Sequence, residues 1–369
     1  MTQTTPFEIL LVTAPGLEAP LAEEARELGF DVQGAITGGV TVNGDWNDVW
    51  RANLELRGAG RVLARIGSFM AFHLAQLDKR ARKFPWNEIF DPRYPIKVEV
   101  TSKKSKIYHA GAATQRIETA LKETLGATIS PDADITLKVR IDDNLCTFSV
   151  DTSGESLHKR GHKEAVGKAP MRENLAALFL RQCGYSGTET VIDPMCGSGT
   201  FVIEAAEIAL GLQPGRNRGF AFEKFANFDT EAFARLKRAE IGQTELRFYG
   251  SDRDQGAVRM SAANAERAGV AEFTRFKHAA VSDLERPEGA PGLVIVNPPY
   301  GARIGDRKLL FSVYGALGKT LLERFKGWRV GMITSDAGLA KSSGLPFLPV
   351  EETVSHGGLR ISLFRTEPL

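Results

Sequence analysis

TVIDPMCGSGTFVIEAAEIALG, residues 190–211, reads as a strand, a tight turn and a helix in succession. The apolar run of 190–194 ends in Asp193-Pro194, and the helix begins at about Thr200. Between them Gly197 and Gly199 permit positive φ and let the backbone approach a ligand that a side chain would block. The free N–H groups of the helix start then point at that ligand. Val202 stands where a dinucleotide fingerprint wants a third glycine, and no Gly-Lys-Ser/Thr follows, which excludes a nucleotide-triphosphate loop. Outward from this turn the chain keeps one rhythm. A helix at 171–184, stopped by Gly184, precedes it; a strand at 246–252, a helix at 255–269, a strand and turn at 293–301, a helix at 309–327 and a strand at 328–336 follow. Strands at 349–354 and 359–366 close the chain as a terminal hairpin. Such alternation predicts an α/β domain with an open, mostly parallel Rossmann-like sheet covered by helices, whose ligands bind at the carboxyl ends of the strands.

Two further carboxylates fall at strand ends. Asp252, followed by Arg253, closes FYGSD and suits a ribose hydroxyl pair, although the distance from the glycine turn requires an insertion that includes 212–229. Asp283 follows KHAAV (277–281), read as a short strand, and suits an adenine amino group. LVIVNPPYG (293–301) is the richest stretch chemically. Asn297, Pro298, Pro299 and Tyr300 form a turn that two prolines forbid from becoming ladder or helix. The Asn297 side-chain oxygen and the Pro298 carbonyl can both accept from one planar –NH2, which aims the nitrogen lone pair at an electrophile. Tyr300 can stack on the base, at roughly 1–3 kcal/mol per contact. The target nucleotide must leave its helix to reach such a pocket.

The remainder of the 369 residues carries a different pattern. With 43% hydrophobic and 25% charged residues the chain is globular, which excludes wholesale disorder. It has no run of 18 apolar residues and no basic-then-apolar leader, so neither a membrane span nor a secretory signal is expected, and three dispersed cysteines suit a reducing, cytoplasmic setting without disulfides or metal. The net charge of +2 settles nothing, so local clustering carries any argument for nucleic acid. Residues 1–60 alternate strand and helix as a small ferredoxin-like α+β part. Residues 61–155 add a strand at 61–71, a basic helix from His73 ending near Pro85, a strand at 94–102, a helix at 109–126 and a hairpin turning at Asp142-Asp143-Asn144. Residues 156–170 form a linker and 171–369 the Rossmann-like domain. Basic clusters interleave with aromatics: Lys79, Arg80, Arg82 and Lys83 before Phe84 and Trp86; Lys103, Lys104 and Lys106 before Tyr108 and His109; and His158, Lys159, Arg160, His162 and Lys163. Cations for phosphates beside rings for unpaired bases suit RNA, with 61–155 as the docking region.

DPMCGSGT, SDRD, VSDL and NPPYG together resemble the class I S-adenosylmethionine-dependent methyltransferases of base amino groups. More narrowly, TSKKSKIYHAGAATQRI (101–117), SGESLHKRGHKEAVGKAPMRENLAALFL (153–180) and the 212–229 insertion resemble the THUMP-domain RNA guanine-N2 methyltransferases of bacterial large-subunit rRNA and their tRNA-modifying relatives. The resemblance implies that Asp193, Pro194, Met195, Cys196, Gly197, Ser198, Gly199 and Thr200 hold the methionine part of S-adenosylmethionine. It implies that Asp252 and Arg253 serve its ribose, Asp283 its adenine, and that Pro170, Met171 and Glu173 lie against it. Asn297 through Tyr300 would grip the base, with Asn297 also near the cofactor. Lys103, Lys104, Lys106 and Tyr108 would bind structured RNA, rRNA or tRNA, and the chain would act as a monomer. NPPY also occurs in adenine-amino and glutamine-amide enzymes, so adenine methylation of DNA or RNA is the alternative. A non-catalytic RNA-binding assembly factor is a second, and an NAD dehydrogenase is disfavoured by Val202 and NPPY.

Overall fold

The computed structural model describes residues 6–164, 171–238, 241–300 and 307–369. They divide into two compact units. The first comprises residues 1–13, 22–157 and 218–237. Its strands are β1 (Phe7–Val12), β2 (Asp31–Ile36), β3 (Gly39–Gly44), β4 (Arg61–Met70), β5 (Ile96–Lys103), β6 (Ile135–Asp142) and β7 (Leu145–Asp151). Its α-helices before residue 157 are the part of α1 (Glu18–Glu27) from Ala22 onward, α2 (Trp46–Glu55), α3 (Leu74–Ala81) and α4 (Ala110–Leu125). The strands form one sheet in the order β2-β3-β1-β4-β7-β6-β5. β4 is the splice: its first residues, Arg61 to Ala64, pair with β1, and from Leu63 to Met70 it pairs with β7. The ferredoxin-like part and the region from residue 61 onward therefore share one sheet. Asp143 and Asn144 turn the β6–β7 hairpin with φ of 48° and 65°, the left-handed pair that a two-residue turn requires.

Two local differences from the sequence reading have plain causes. β2 is an exposed edge strand with no apolar alternation to announce it. The basic helix stops at Ala81 rather than near Pro85, because Trp86 turns inward and donates its indole N–H to the Ala81 carbonyl at 2.8 Å.

The second unit comprises residues 14–21, 158–217 and 238–369. It holds α5 (Glu173–Gln182), β8 (Val191–Asp193) and α6 (Thr200–Ala209); after the excursion through 218–237, which contributes α7 (Thr230–Leu236) to the first unit, it continues with β9 (Phe248–Asp252), α8 (Gln255–Ala268), β10 (Thr274–His278), β11 (Leu293–Val296), α9 (Arg307–Arg324), β12 (Arg329–Thr334), α10 (Ala337–Ser342), β13 (Thr353–His356) and β14 (Leu359–Arg365). The sheet order is β10-β9-β8-β11-β12-β14-β13. Neighbours from β10 to β12 run parallel, and β14 runs antiparallel to both β12 and β13, which is the terminal hairpin. Every residue of β8 and β11 is buried, as strands covered on both faces must be. The order reverses between β8 and β11, and that switch point opens a crevice at their carboxyl ends.

The insertion behaves differently from the expectation that 171–369 forms one domain. Arg218–Lys237 belongs to the first unit. Its aromatic residues explain why: Phe222 and Phe228 lie 6.2 and 5.6 Å from Trp50, and Phe225 lies 6.1 Å from Trp46 and 6.2 Å from Phe90. Arg218 donates to the carbonyls of Ser153, Glu155 and Ser156, and the Phe222 N–H to that of Thr152. No helix among the described residues is long and apolar enough to cross a membrane.

Candidate active site

β8 ends at Asp193, which is 2% exposed and accepts from the Met195 N–H at 3.0 Å. The turn then closes on itself. The Cys196 N–H reaches the Ser251 carbonyl of β9 at 2.9 Å, and the Gly199 N–H reaches the Cys196 carbonyl at 2.7 Å. Gly197 and Gly199 sit at φ of 54° and 83°, where side chains are strained. A Cβ on Gly199 would lie 3.1 Å from the Ser261 Cβ, whereas one on Gly197 would meet nothing within 4 Å. The backbone of Gly197 is thus uncovered by neighbouring side chains, whereas that of Gly199 packs against α8.

Two residues of α8 that the sequence reading missed hold this turn from below. Ser261 Oγ donates to the Gly197 carbonyl at 2.9 Å and Asn264 Nδ2 to the Ser198 carbonyl at 3.0 Å. They lie three apart on one helix face, and small polar residues at that spacing in an alanine-rich helix are the signal that marks them. Asp252, at the end of β9, accepts from the Gly197 N–H at 3.0 Å through one oxygen and from the Asp254 N–H at 2.9 Å through the other. Arg253 is exposed beside it. The Ala279 N–H bonds the Asp252 carbonyl at 3.1 Å, tying the loop after β10 to the same edge. The strand expected at 277–281 is shifted: β10 ends at His278, and Val281–Asp283 is a short 3-10 turn that presents an exposed Asp283.

Burial, reinforced by the negative charge of Asp252, pushes the Asp193 carboxyl up to about 8. The sign of the consequence follows from proton binding. Between the ordinary carboxylate value of 3.8 and about 8 the folded state holds a proton that the unfolded chain has lost. The contribution of Asp193 to stability therefore falls as pH rises through that window. We expect the difference in unfolding free energy between Asp193→Asn and wild type, measured by urea titration, to shift in favour of the variant from pH 5 to pH 8. A difference independent of pH would contradict the assignment.

The segment before α5 braces the turn. Lys163 Nζ donates to the Met171 carbonyl at 3.0 Å and to Thr200 Oγ1 at 2.9 Å, and pairs with Glu173 at 3.1 Å. Met171 and Glu173 are 4% exposed, and Pro170 lies outside the described residues. Arg160 and Glu204 form an ion pair at 3.4 Å with side chains 2% and 1% exposed. Burial lowers His162, and burial with nearby cations lowers His158 to about 4, so both rings are neutral at pH 7. Within the third basic cluster Arg160 and Lys163 are therefore not RNA-facing cations, since they neutralise the buried Glu204 of α6 and Glu173 of α5; Lys159 alone of its lysines and arginines is exposed.

β11 pairs with β8 in the register Leu293↔Val191 and Val294↔Ile192, and β8 pairs with β9 as Asp193↔Gly250. Asn297 therefore emerges just past the carboxyl end of β11, beside the glycine turn. Its Oδ1 is buried and has no hydrogen-bond partner among the described residues. Such an atom costs roughly 1–3 kcal/mol unless something else satisfies it. Pro298 is buried, while Pro299 and Tyr300 are half-buried, with the Tyr300 ring against the apolar core under β11 and β12. The four strand ends thus bring Asp193 to Thr200, Asp252, Asp283 and Asn297 to Tyr300 to one edge of the sheet.

In the first unit Lys103 ends β5, Lys104 adopts φ of 48°, and the Lys106 N–H bonds Asn144 Oδ1 at 2.8 Å. Lys106 Nζ lies 5.5 Å over the Phe72 ring, and Tyr108 is 85% exposed. Phe72, Met70 and Leu145 are exposed at the same end of the sheet. The Lys79–Lys83 cluster lacks the stacking rings expected of it: Phe84 lies 4.3 Å from Trp86, and both rings pack on buried Phe148. Arg82 there is held by Asp78 and Glu123.

Comparison with known proteins agrees with this geometry. Residues 160–346 match the family described as RMKL-like, methyltransferase domain; residues 8–63 match the RlmL ferredoxin-like domain and 72–151 the THUMP domain. A putative RNA methyltransferase of Synechocystis sp. is 32% identical over 96% of this chain and 95% of its own. A ribosomal RNA large subunit methyltransferase K/L of Psychromonas ingrahamii is 33% identical over 90% of this chain, which spans only 46% of that protein. A solved putative methyltransferase in complex with SAH superposes with a TM-score of 0.83 at 26% identity, over 99% of each chain.

Proposed function

Because the chain belongs to the THUMP-bearing, RMKL-like family of class I S-adenosylmethionine-dependent RNA methyltransferases, we propose that it methylates the exocyclic N2 of a guanosine in structured RNA, either rRNA or tRNA. The observation that carries this reading is the buried, unpartnered Asn297 Oδ1 at the carboxyl end of β11. A buried acceptor with no partner among the described residues suits a planar amino group, which brings the missing donors. When bound, S-adenosylmethionine supplies an electrophilic methyl group on a sulfonium.

The protein's part is positional. Asn297 Oδ1 and the Pro298 carbonyl accept hydrogen bonds from the two amine N–H groups, so the nitrogen lone pair turns out of the ring's conjugation, and the one proton that nitrogen sheds on methylation leaves to solvent. Asp252 holds ribose hydroxyls, the turn from Asp193 to Thr200 holds the amino-acid end, and Asp283 faces the adenine. Positioning of this kind supplies up to about 7–11 kcal/mol without a strong general base. Tyr300 stacks on the base, and the first unit docks RNA through Lys103, Lys104, Lys106 and Tyr108.

The test is chemical. The protein is incubated with labelled cofactor and unmodified rRNA or tRNA, the RNA is digested, and the labelled nucleoside is identified. N2-methylguanosine is expected; a methylated adenosine would transfer the reading to adenine, and no labelled nucleoside from any RNA would remove it. Lys103, Lys104 and Lys106 changed together to Ala should weaken RNA binding several-fold and flatten its dependence on salt, since each phosphate contact contributes about 0.7–0.9 to the slope of log K against log salt. Cofactor affinity in that variant should equal wild type by calorimetry.

A further inference from the structure

The NPPY turn has an anchor outside itself. Pro298 and Pro299 carry no N–H, so they contribute carbonyls to the turn and no donors with which to fasten it. The fastening comes from α9. Tyr314 is fully buried, and its single O–H is shared as a donor between Thr334 Oγ1 at the end of β12, 3.1 Å away, and the Pro299 carbonyl, 3.3 Å away. Thr334 is buried as well and accepts from the Asp336 N–H at 3.2 Å. A bonded chain therefore runs from the start of α10 through β12 and α9 into the turn. The phenol sits in the apolar cluster of Val294, Val296, Met332 and Leu339, where an unbonded hydroxyl would be costly.

We propose that Tyr314 is a positioning residue for methyl transfer: its O–H engages the Pro299 carbonyl, pins the proline turn, and leaves Asn297 Oδ1 and the Pro298 carbonyl as the acceptors that meet the target amine. Burial holds the phenol well above its usual pKa, so it remains a donor throughout the working pH range. The arrangement divides the work. One carbonyl of the turn is spent on anchorage by a donor that cannot reach the substrate. Asn297 Oδ1, with no partner of its own among the described residues, then keeps a fixed angle. An amine must lose conjugation to react, and a turn free to rock by a few tenths of an ångström would bind it without twisting it.

This inference rests on the amino-group reading above, and the experiment separates the two. Tyr314→Phe removes one oxygen and keeps the ring. It should lower kcat about tenfold or more while KM for RNA and cofactor stays within about twofold. The control is Tyr185→Phe, which removes a buried phenol that donates to the Ala205 carbonyl at 2.8 Å in the same unit, away from the turn; it should lose thermal stability without losing kcat. Should Tyr314→Phe fail to fold, tetrafluorotyrosine at position 314 keeps both ring and hydroxyl but acidifies the phenol. That protein should lose kcat at alkaline pH where wild type does not. An active wild type with Tyr314→Phe at full kcat, equal kcat losses in the two Phe variants, or a fluorinated protein with the wild-type pH profile would each overturn the inference. A wild type that transfers no methyl group to any RNA amine would remove the underlying reading and this inference with it.

Discussion

Asn297→Ala should lose methyl transfer by roughly 10²–10³-fold in kcat, the scale on which a single preorganised polar group at a reacting centre acts, while cofactor affinity stays at the wild-type value. The structure adds a second expectation that runs in the opposite direction. Asn297 Oδ1 is buried and unpaired, so the fold already bears its desolvation cost. Its removal should leave the melting temperature unchanged or raise it by a few degrees. A residue placed for packing would show the reverse, losing stability and sparing kcat. Loss of activity with no loss of stability is what a site strained toward an absent partner predicts. A variant with kcat within threefold of wild type would sink the assigned role, whatever its melting temperature.

Much of the second unit was readable because its strands are continuous apolar runs bounded by turn residues. VID and LVIV have no polar face to confuse the period, and the residues that follow them are the ligand-facing ones by the geometry of any such sheet. Asp252 and Asn297 could be singled out as candidates for that reason alone. What escaped notice depends on contacts between residues far apart in sequence. Ser261 and Asn264 look like ordinary helix residues until the carbonyls they satisfy are in view. Tyr314 lies in a helix whose apolar residues explain themselves as core, and nothing local says that its hydroxyl reaches a proline carbonyl. Charge misled where burial decides its use. Arg160 and Lys163 read as an RNA-facing cluster, yet they neutralise Glu204 and Glu173 inside the unit. Aromatic residues misled likewise, since Phe84 and Trp86 are core rings rather than stacking platforms. The insertion is the clearest instance: Phe222, Phe225 and Phe228 pack on Trp46, Trp50 and Phe90 across more than a hundred residues of chain.

Asp252→Ala should produce the complementary phenotype, weakening cofactor binding by roughly 10–150-fold, the equivalent of about 1.5–3 kcal/mol for a hydrogen bond to a charged acceptor. Two effects converge on that residue. Its carboxylate sits at the end of β9, where a ribose hydroxyl pair would reach it. The same carboxylate accepts from the Gly197 N–H and so helps to set the turn that approaches the rest of the cofactor. Asp252→Asn separates the two, because an amide oxygen can still accept from Gly197 but the group has lost its charge. Its dissociation constant should fall between wild type and Asp252→Ala. At saturating cofactor, kcat should recover in both variants to within a few-fold of wild type, since neither touches the proposed amine acceptors, which follow β11 on the far side of β8. Asp252 and Asn297 variants would then differ in kind: one pays in affinity and regains rate, the other keeps affinity and never regains rate. If Asp252→Ala binds cofactor within threefold of wild type by calorimetry, the ribose contact lies elsewhere, and the carboxylate only braces the glycine turn.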